Sequence, residues 1–207
     1  MSIRSRTMLV ALAALATVVL AACSKTPSRV YPPGINPNAG DDAIEQYDAD
    51  GDGKIAGEEL DKAAGLKGAL KNVDTNGDGA VTADEIYARI KAWEESKLGR
   101  SSQAVTVRRN GQPLAGATVK MIPEKFLGDE VQPASGETDE WGVAMLNIPP
   151  EADPEGIGGM QVGLYRIEVT KPGEDIPAKY NTETELGVEI AQDMAEAESG
   201  IQLDLEY

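Results

Sequence analysis

The chain has no histidine, a single cysteine and few aromatic residues, and each scarcity excludes a class of functional site. None of its 207 residues is His, and only 4% are Phe, Trp or Tyr. Histidine is the commonest general base and transition-metal ligand, so we expect no zinc, copper or haem site. Few aromatic rings argue against a stacking surface for nucleic-acid bases. The single cysteine, Cys23, excludes a disulfide bond within the chain.

Basic residues are also in deficit. The sequence contains 19 Lys and Arg against 35 Asp and Glu, which gives a formal net charge of −16 at pH 7. Nucleic-acid binding needs a basic patch or stripe, so we expect no nucleic-acid partner. The length allows one ordinary domain or two small ones, and the low aromatic content favours modest cores.

The N-terminus has the pattern of an export signal. Arg4 and Arg6 precede residues 8–22, which are apolar except for Thr17. This predicts a signal peptide over residues 1–22, too short for a comfortable transmembrane helix. The alternatives are an uncleaved anchor or a plain signal peptide that leaves Cys23 as a free thiol.

The end of this segment, LAAC, resembles a bacterial lipobox. The resemblance implies that Cys23 is lipidated and anchors an exported protein to a bacterial membrane, on its periplasmic or cell-surface face. Residues 23–40 include four prolines and no periodic pattern, which predicts a flexible or extended tether. An ordered loop near Val30 and Tyr31 is the alternative.

The stretch DADGDGKIAGEE, residues 48–59, concentrates acidic side chains that repel one another unless a cation lies among them. Oxygen-bearing residues alternate at positions one, three and five, glycine stands at six, an apolar residue at eight and Glu at twelve. This is the spacing of an EF-hand calcium loop, in which residue seven contributes its backbone carbonyl. Position nine is Ala56, so its ligand would be a water. The predicted ligands are Asp48, Asp50, Asp52, Lys54 and Glu59.

A second loop with the same spacing, DTNGDGAVTADE, occupies residues 74–85. We expect one calcium ion in each loop, and we expect Ile55 and Val81 at position eight to pair as a short antiparallel bridge. Thr82 at position nine can bind directly or through water. The predicted ligands of this loop are Asp74, Asn76, Asp78, Ala80, Thr82 and Glu85.

Helical patterns flank the loops and predict an EF-hand pair over residues 41–99. Helices are expected over residues 41–47 and 83–98, with two more between the loops that break at Gly65. No methionine-rich groove accompanies them, which favours a structural or buffering site over a calcium-opened switch. The short spacing between loops is similar to that of dockerins, so a calcium-dependent adhesion or assembly module is the alternative.

After residue 99 the pattern changes to short alternating runs separated by turns. Strands are expected over residues 103–108, 117–122, 142–148, 165–170, 188–190 and 201–205, with a hairpin turn at Asn110 and Gly111. The fold class is therefore multidomain α+β: after the signal peptide and tether, a small helical EF-hand pair is followed by an all-β, Ig-like sandwich over residues 102–207.

Five stretches of this half resemble a known family: RRNGQPLAGATVKMIPE, GETDEWGVAMLNI, GLYRIEVTK, IPAKYNTETELGVEI and GIQLDLEY. They are similar to the carboxypeptidase-regulatory-like, transthyretin-like β-sandwich domain of bacterial lipoproteins. The resemblance implies a fold without peptidase chemistry, and no serine or cysteine nucleophile with a recognisable base is present. Trp141 stands where relatives commonly have a small or polar residue. We therefore predict a noncatalytic, calcium-binding envelope lipoprotein whose sandwich supports contacts with other envelope components.

Overall fold

The helical region contains both acidic loops, and each loop is flanked by helices. The computed structural model describes residues 30–194 and 199–207. Each loop leads through a short strand into a following helix, and the two strands pair with each other. The elements of this region are α1 (Ala39–Tyr47), β1 (Lys54–Ala56), α2 (Glu58–Lys62), α3 (Ala64–Val73), β2 (Ala80–Thr82) and α4 (Ala83–Ser96).

The limits of these helices follow from local chemistry. Thr82 and Glu85 form a capping box at the start of α4, in which each side chain accepts from the other's backbone N–H. Lys97, in the left-handed conformation with φ 57°, ends the same helix. The predicted break at Gly65 is wrong, because Ala63 separates α2 from α3 and Gly65 lies inside α3.

Gly65 is needed for a close approach instead. Its N–H donates to Glu124 Oε1 at 2.8 Å. A Cβ atom at this position would lie 2.7 Å from the same oxygen. A larger residue here would push α3 away from the β region.

The β region contains two four-stranded sheets among the described residues. Their strands are β3 (Gln103–Arg109), β4 (Gln112–Pro113), β5 (Thr118–Pro123), β6 (Ala134–Glu137), β7 (Val143–Leu146), β8 (Gly163–Thr170), β9 (Gly187–Ile190) and β10 (Ile201–Leu205). In the first sheet, β10 pairs in parallel with β3, while β7 and β4 pair antiparallel with the two ends of β3. The second sheet is antiparallel with strand order β6-β5-β8-β9.

The predicted hairpin turn joins β3 to β4. Asn110 and Gly111 both have positive φ, 50° and 77°, as a two-residue hairpin of this twist requires. The six predicted strands all overlap observed strands, and β4 and β6 are the additions. The fold is therefore a small helical EF-hand region followed by an all-β region of several sheets.

Strand β9 lies between the two regions. Val188 and Ile190 are buried with the apolar residues of both sheets, whereas Gly187 and Glu189 face the helices. A Cβ atom on Gly187 would lie 1.7 Å from the carbonyl oxygen of Ala64, so α3 packs directly on the strand backbone. Residues Tyr31–Tyr207 form one compact unit with a continuous apolar core, whereas the sequence predicts two folded units.

The last part of the predicted tether is packed on the β region. Ile35 is buried, the N–H of Asn36 donates to the Leu127 carbonyl at 3.0 Å, and its side-chain amide donates to the Phe126 carbonyl at 3.0 Å. Within the segment predicted as a flexible or extended tether, Ile35 and Asn36 are therefore ordered by packing on the β region. The predicted signal peptide and Cys23 lie outside the described residues. Within the described part of the chain, no helix is long and apolar enough to cross a membrane.

Candidate metal centres

The first loop curls around Asp48. One oxygen of its carboxylate accepts from the N–H of Gly51 at 2.6 Å, and the other accepts from the N–H of Gly53 at 2.8 Å. Both glycines have positive φ, 77° and 84°, which L side chains rarely adopt. The N–H donor of Gly53, followed by others in the loop, lowers the pKa of Asp48. The carboxylate is therefore held ionised.

Three carboxylates of this loop come together. One oxygen from each of Asp48, Asp50 and Asp52 lies within 4.8 Å of the corresponding oxygens of the other two. Glu59, near the start of α2, reaches back across the loop and accepts from the N–H of Ala49 at 2.8 Å and of Ala56 at 3.0 Å. These donors, that of Ala56 foremost, lower the pKa of Glu59. The structure thus brings Asp48, Asp50 and Asp52 together, and Glu59 is held by hydrogen bonds to the backbone of the same loop.

The second loop repeats this geometry around Asp74. Its two carboxylate oxygens accept from the N–H groups of Gly77 at 2.7 Å and Gly79 at 2.9 Å. Asn76 Oδ1 accepts from the N–H of Asp78 at 2.8 Å. The equivalent residues of the two loops therefore make equivalent hydrogen bonds.

Glu85 closes the second loop as Glu59 closes the first. Its carboxylate accepts from the N–H of Thr75 at 3.1 Å and from the N–H and hydroxyl of Thr82 at 3.0 and 2.9 Å. Burial raises the pKa of Glu85, but these donors outweigh it and the pKa is lowered. Thr82, predicted as a ligand at position nine, uses its hydroxyl for the capping box in this structure.

The two loops are joined by β1 and β2. Ile55 pairs with Val81, as predicted, and both side chains are fully buried. Lys54 and Ala80, predicted to offer backbone carbonyls, lie in these strands opposite Thr82 and Ala56. The pairing fixes the two sites relative to each other.

One cross-loop contact was missed by the sequence reasoning. The ammonium of Lys54 lies 3.0 Å from Oδ2 of Asp78, which is position five of the other loop. This hydrogen bond lowers the pKa of Asp78 and raises that of Lys54. The sequence signal was a lysine in the strand that pairs with the other loop.

The donor set fits calcium. Calcium prefers six to eight hard oxygen ligands in a flexible arrangement, and both loops offer carboxylate, amide and carbonyl oxygens at EF-hand spacing. The clustered oxygens of the first loop already lie at distances that one ion can bridge. When bound, calcium would supply a divalent positive charge among side chains that otherwise repel one another.

Two buried glutamates fasten the helices that flank the loops, and the sequence reasoning missed both. Glu124, which follows β5, is 1% exposed and accepts from the Tyr47 hydroxyl at 2.6 Å as well as from the N–H of Gly65. Tyr47 is the last residue of α1 and directly precedes Asp48. Burial raises the pKa of Glu124, and its donors offset only part of that effect.

Glu189 holds the helices around the second loop. Its carboxylate accepts from the Asn72 amide at 2.7 Å, from Trp93 Nε1 at 2.6 Å and from Arg89 Nε. Asn72 lies near the end of α3, while Arg89 and Trp93 lie on α4. The available signal was an acidic residue inside the apolar run GVEIA.

Trp141 is 69% exposed in a turn before β7. Asp139 supports this turn, because its side chain accepts from the N–H groups of Trp141 and Val143, both at 2.9 Å. Asp139 is therefore a turn-forming residue.

Comparison with known proteins agrees with the loop geometry. The family model described as EF hand matches residues 41–62 and 66–88, which contain the two acidic loops. No curated protein and no solved structure matches the chain. The two matched segments are EF-hand motifs, and such motifs indicate calcium binding.

Proposed function

We propose that this chain is a noncatalytic, membrane-anchored protein that binds two calcium ions, one in each EF-hand loop. The observation that supports this best is the pair of complete loops, each curled around an aspartate and joined to the other by Ile55 and Val81. The first ion would be held by Asp48, Asp50, Asp52, Glu59 and the carbonyl of Lys54. The second would be held by Asp74, Asn76, Asp78, Glu85, the carbonyl of Ala80 and, directly or through water, Thr82.

The proposed role of calcium is structural. In a calcium-opened sensor, the helices separate and expose an apolar groove for a target. Here the apolar faces of the helices belong to the same buried cluster as the β sheets, and α3 lies against β9. Glu124 and Glu189 fasten helices of both EF-hands to the β region. Opening would therefore break contacts of the protein's own core.

The proposed membrane anchor rests on the sequence before the folded unit. A basic start, an apolar segment and LAAC ending at Cys23 support export and lipidation. The carboxypeptidase-regulatory-like resemblance supports a supporting or interaction role for the β region, and its two sheets agree with such a domain. Globomycin sensitivity of processing and mass spectrometry of Cys23 test the anchor, and an unmodified Cys23 in purified membranes would contradict it.

Calorimetric titration tests the calcium sites. The protein would be residues 24–207, which include the whole compact unit Tyr31–Tyr207. Two calcium sites are expected, Glu59→Gln or Glu85→Gln should each abolish one, and magnesium should compete weakly. Glu58→Gln is the matched control, because Glu58 is an adjacent exposed acid outside the predicted ligand set. No calcium binding by the unaltered protein would refute the proposal.

The structural role has its own test. Dissociation constants of about 10⁻⁴–10⁻³ M are common for extracellular calcium-binding modules, and values in this range would agree with an ion that stays bound as part of the structure. Because ion binding stabilises the folded state, a chelator should lower the melting temperature measured by circular dichroism. A melting curve unchanged by chelator would contradict a structural role.

We also propose a protein partner in the cell envelope for the β region. A pull-down from envelope extract with calcium and with chelator tests it. A partner retained under both conditions supports a supporting domain, whereas one stoichiometric partner lost with chelator favours a dockerin-like assembly module.

A further inference from the structure

Lys54 belongs to both calcium loops. It occupies position seven of the first loop, where its backbone carbonyl is a predicted ligand, and it pairs in register with Thr82 of the second loop. Its ammonium crosses to the second loop and lies 3.0 Å from Oδ2 of Asp78. Lys54 thus offers the negative end of its carbonyl dipole to the first site and its positive ammonium to the second.

The two loops also differ in their own charge. The first has carboxylates at positions one, three, five and twelve, whereas the second has Asn76 in place of an acid at position three. The three aspartates of the first loop already bring oxygens within 4.8 Å of one another. The second loop therefore has one negative charge fewer and an additional positive charge from Lys54.

The ammonium and a calcium ion would compete for Asp78. A cation entering the second loop must share the carboxylate with Lys54 or displace it, and the two positive charges repel at short range. The side chains of Lys54 and Asp78 are 42% and 39% exposed, so solvent screens the interaction. Exposed ion pairs have small effects, and removing the ammonium should raise affinity by about three- to tenfold.

We infer that Lys54 lowers the calcium affinity of the second loop and makes the two sites unequal, so that the first loop fills at lower calcium concentration. This inference rests on the proposed function. It gives the Lys54 side chain, as distinct from its backbone carbonyl, a role in setting the relative calcium affinities of the two sites.

Calorimetric titration of Lys54→Met in two single-site backgrounds tests it. Glu59→Gln removes calcium binding by the first loop and leaves only the second loop able to bind. Glu85→Gln does the reverse. Methionine retains the aliphatic stem of lysine without its charge. Lys62→Met is the matched control, because Lys62 is an exposed lysine at the end of α2 outside both loops. Circular dichroism verifies that each variant is folded.

In the second-loop background, Lys54→Met should raise calcium affinity about three- to tenfold, and Lys62→Met should change it less than about twofold. This gain in affinity should be smaller in about 1 M salt, where the interaction between exposed charges is largely screened beyond about 3 Å. In the first-loop background the gain should be smaller. In the chain with both sites, Lys54→Met should bring the two dissociation constants closer together, a readout that does not depend on the single-site variants.

The inference is overturned if Lys54→Met leaves both constants of the two-site chain unchanged, or if it strengthens the first loop as much as the second. In either case the unaltered chain still binds two ions and the proposed function stands. Absence of calcium binding by the unaltered chain overturns both together.

Discussion

Replacing Glu189 with alanine tests how firmly the EF-hand helices are held on the second sheet. The Glu189 side chain is 3% exposed and that of its partner Arg89 is 10% exposed. Removing one member of a buried ion pair leaves the other charge uncompensated and costs about 3–5 kcal/mol. Asp193 still contacts the Arg89 guanidinium at 2.6 Å from the solvent side. We therefore expect the lower end of that range, about 3 kcal/mol.

A loss of this size is easily measured. Folded domains are stable by about 5–15 kcal/mol, so the free energy of unfolding would fall by a fifth or more. Urea unfolding at saturating calcium is the assay. Trp93, which is 2% exposed and donates to Glu189, is the natural fluorescence probe, and Trp141→Phe removes the exposed tryptophan from the signal.

The matched control acts on the same arginine. Asp193 is 67% exposed, and exposed pairs contribute about 0–1 kcal/mol. Asp193→Ala should therefore cost at most about 1 kcal/mol. If Glu189→Ala costs no more than Asp193→Ala, the buried cluster does not fasten the helices, and the argument for a structural EF-hand pair is refuted.

Two further predictions concern the same contact between helices and sheet. Gly68→Ala would stabilise an exposed helix by about 1 kcal/mol, but here a Cβ atom would lie 2.2 Å from the Gly187 carbonyl oxygen. Overpacking costs about 1–3 kcal/mol, so urea unfolding of Gly68→Ala should show a net loss in the free energy of unfolding. The control is Lys71→Ala at an exposed position of the same helix, which should stay within about 0.5 kcal/mol of the unaltered protein. A stabilised Gly68→Ala would contradict this packing. Burial raises the pKa of Glu124 above 4.5, so the folded state binds the proton of this carboxyl more tightly than the unfolded state does. The contribution of protonated Glu124 to the free energy of unfolding is therefore full at low pH and is lost as the pH rises through the folded pKa. Glu124→Gln cannot ionise at this position, so its stability relative to the unaltered protein should improve as the pH rises above 4.5, the ordinary pKa from which that of Glu124 is raised. A stability difference independent of pH would contradict the assignment.

The calcium loops could be predicted because their information is local. All side chains of a loop lie within twelve residues, and the glycines at position six have the positive φ that the spacing demands. The pairing of Ile55 with Val81 follows from the repetition of the loop. Asn110 and Gly111 are equally local, since the dipeptide alone selects the hairpin turn.

The contacts between helices and sheet could not be predicted in this way. Glu124 and Glu189 find partners that are 59 to 117 residues away in the sequence. A buried acid looks like a surface acid until its donors are known. Strand β6, with sequence ASGE, has no alternating apolar pattern and is defined by pairing with β5. The break between α2 and α3 lies at Ala63 and not at the predicted Gly65, because tertiary packing of α3 decides its position.

The parallel pairing of β10 with β3 has a kinetic consequence. Gln202 and Thr106 lie side by side although 96 residues separate them, whereas β1 and β2 are close in sequence. Contacts between distant residues form slowly because a long loop must close first. We therefore expect refolding to begin with the calcium loops and their helices and to end when β10 docks. Until then one edge of β3 is unpaired and open to association with other chains, so aggregation should compete with folding until β10 is in place.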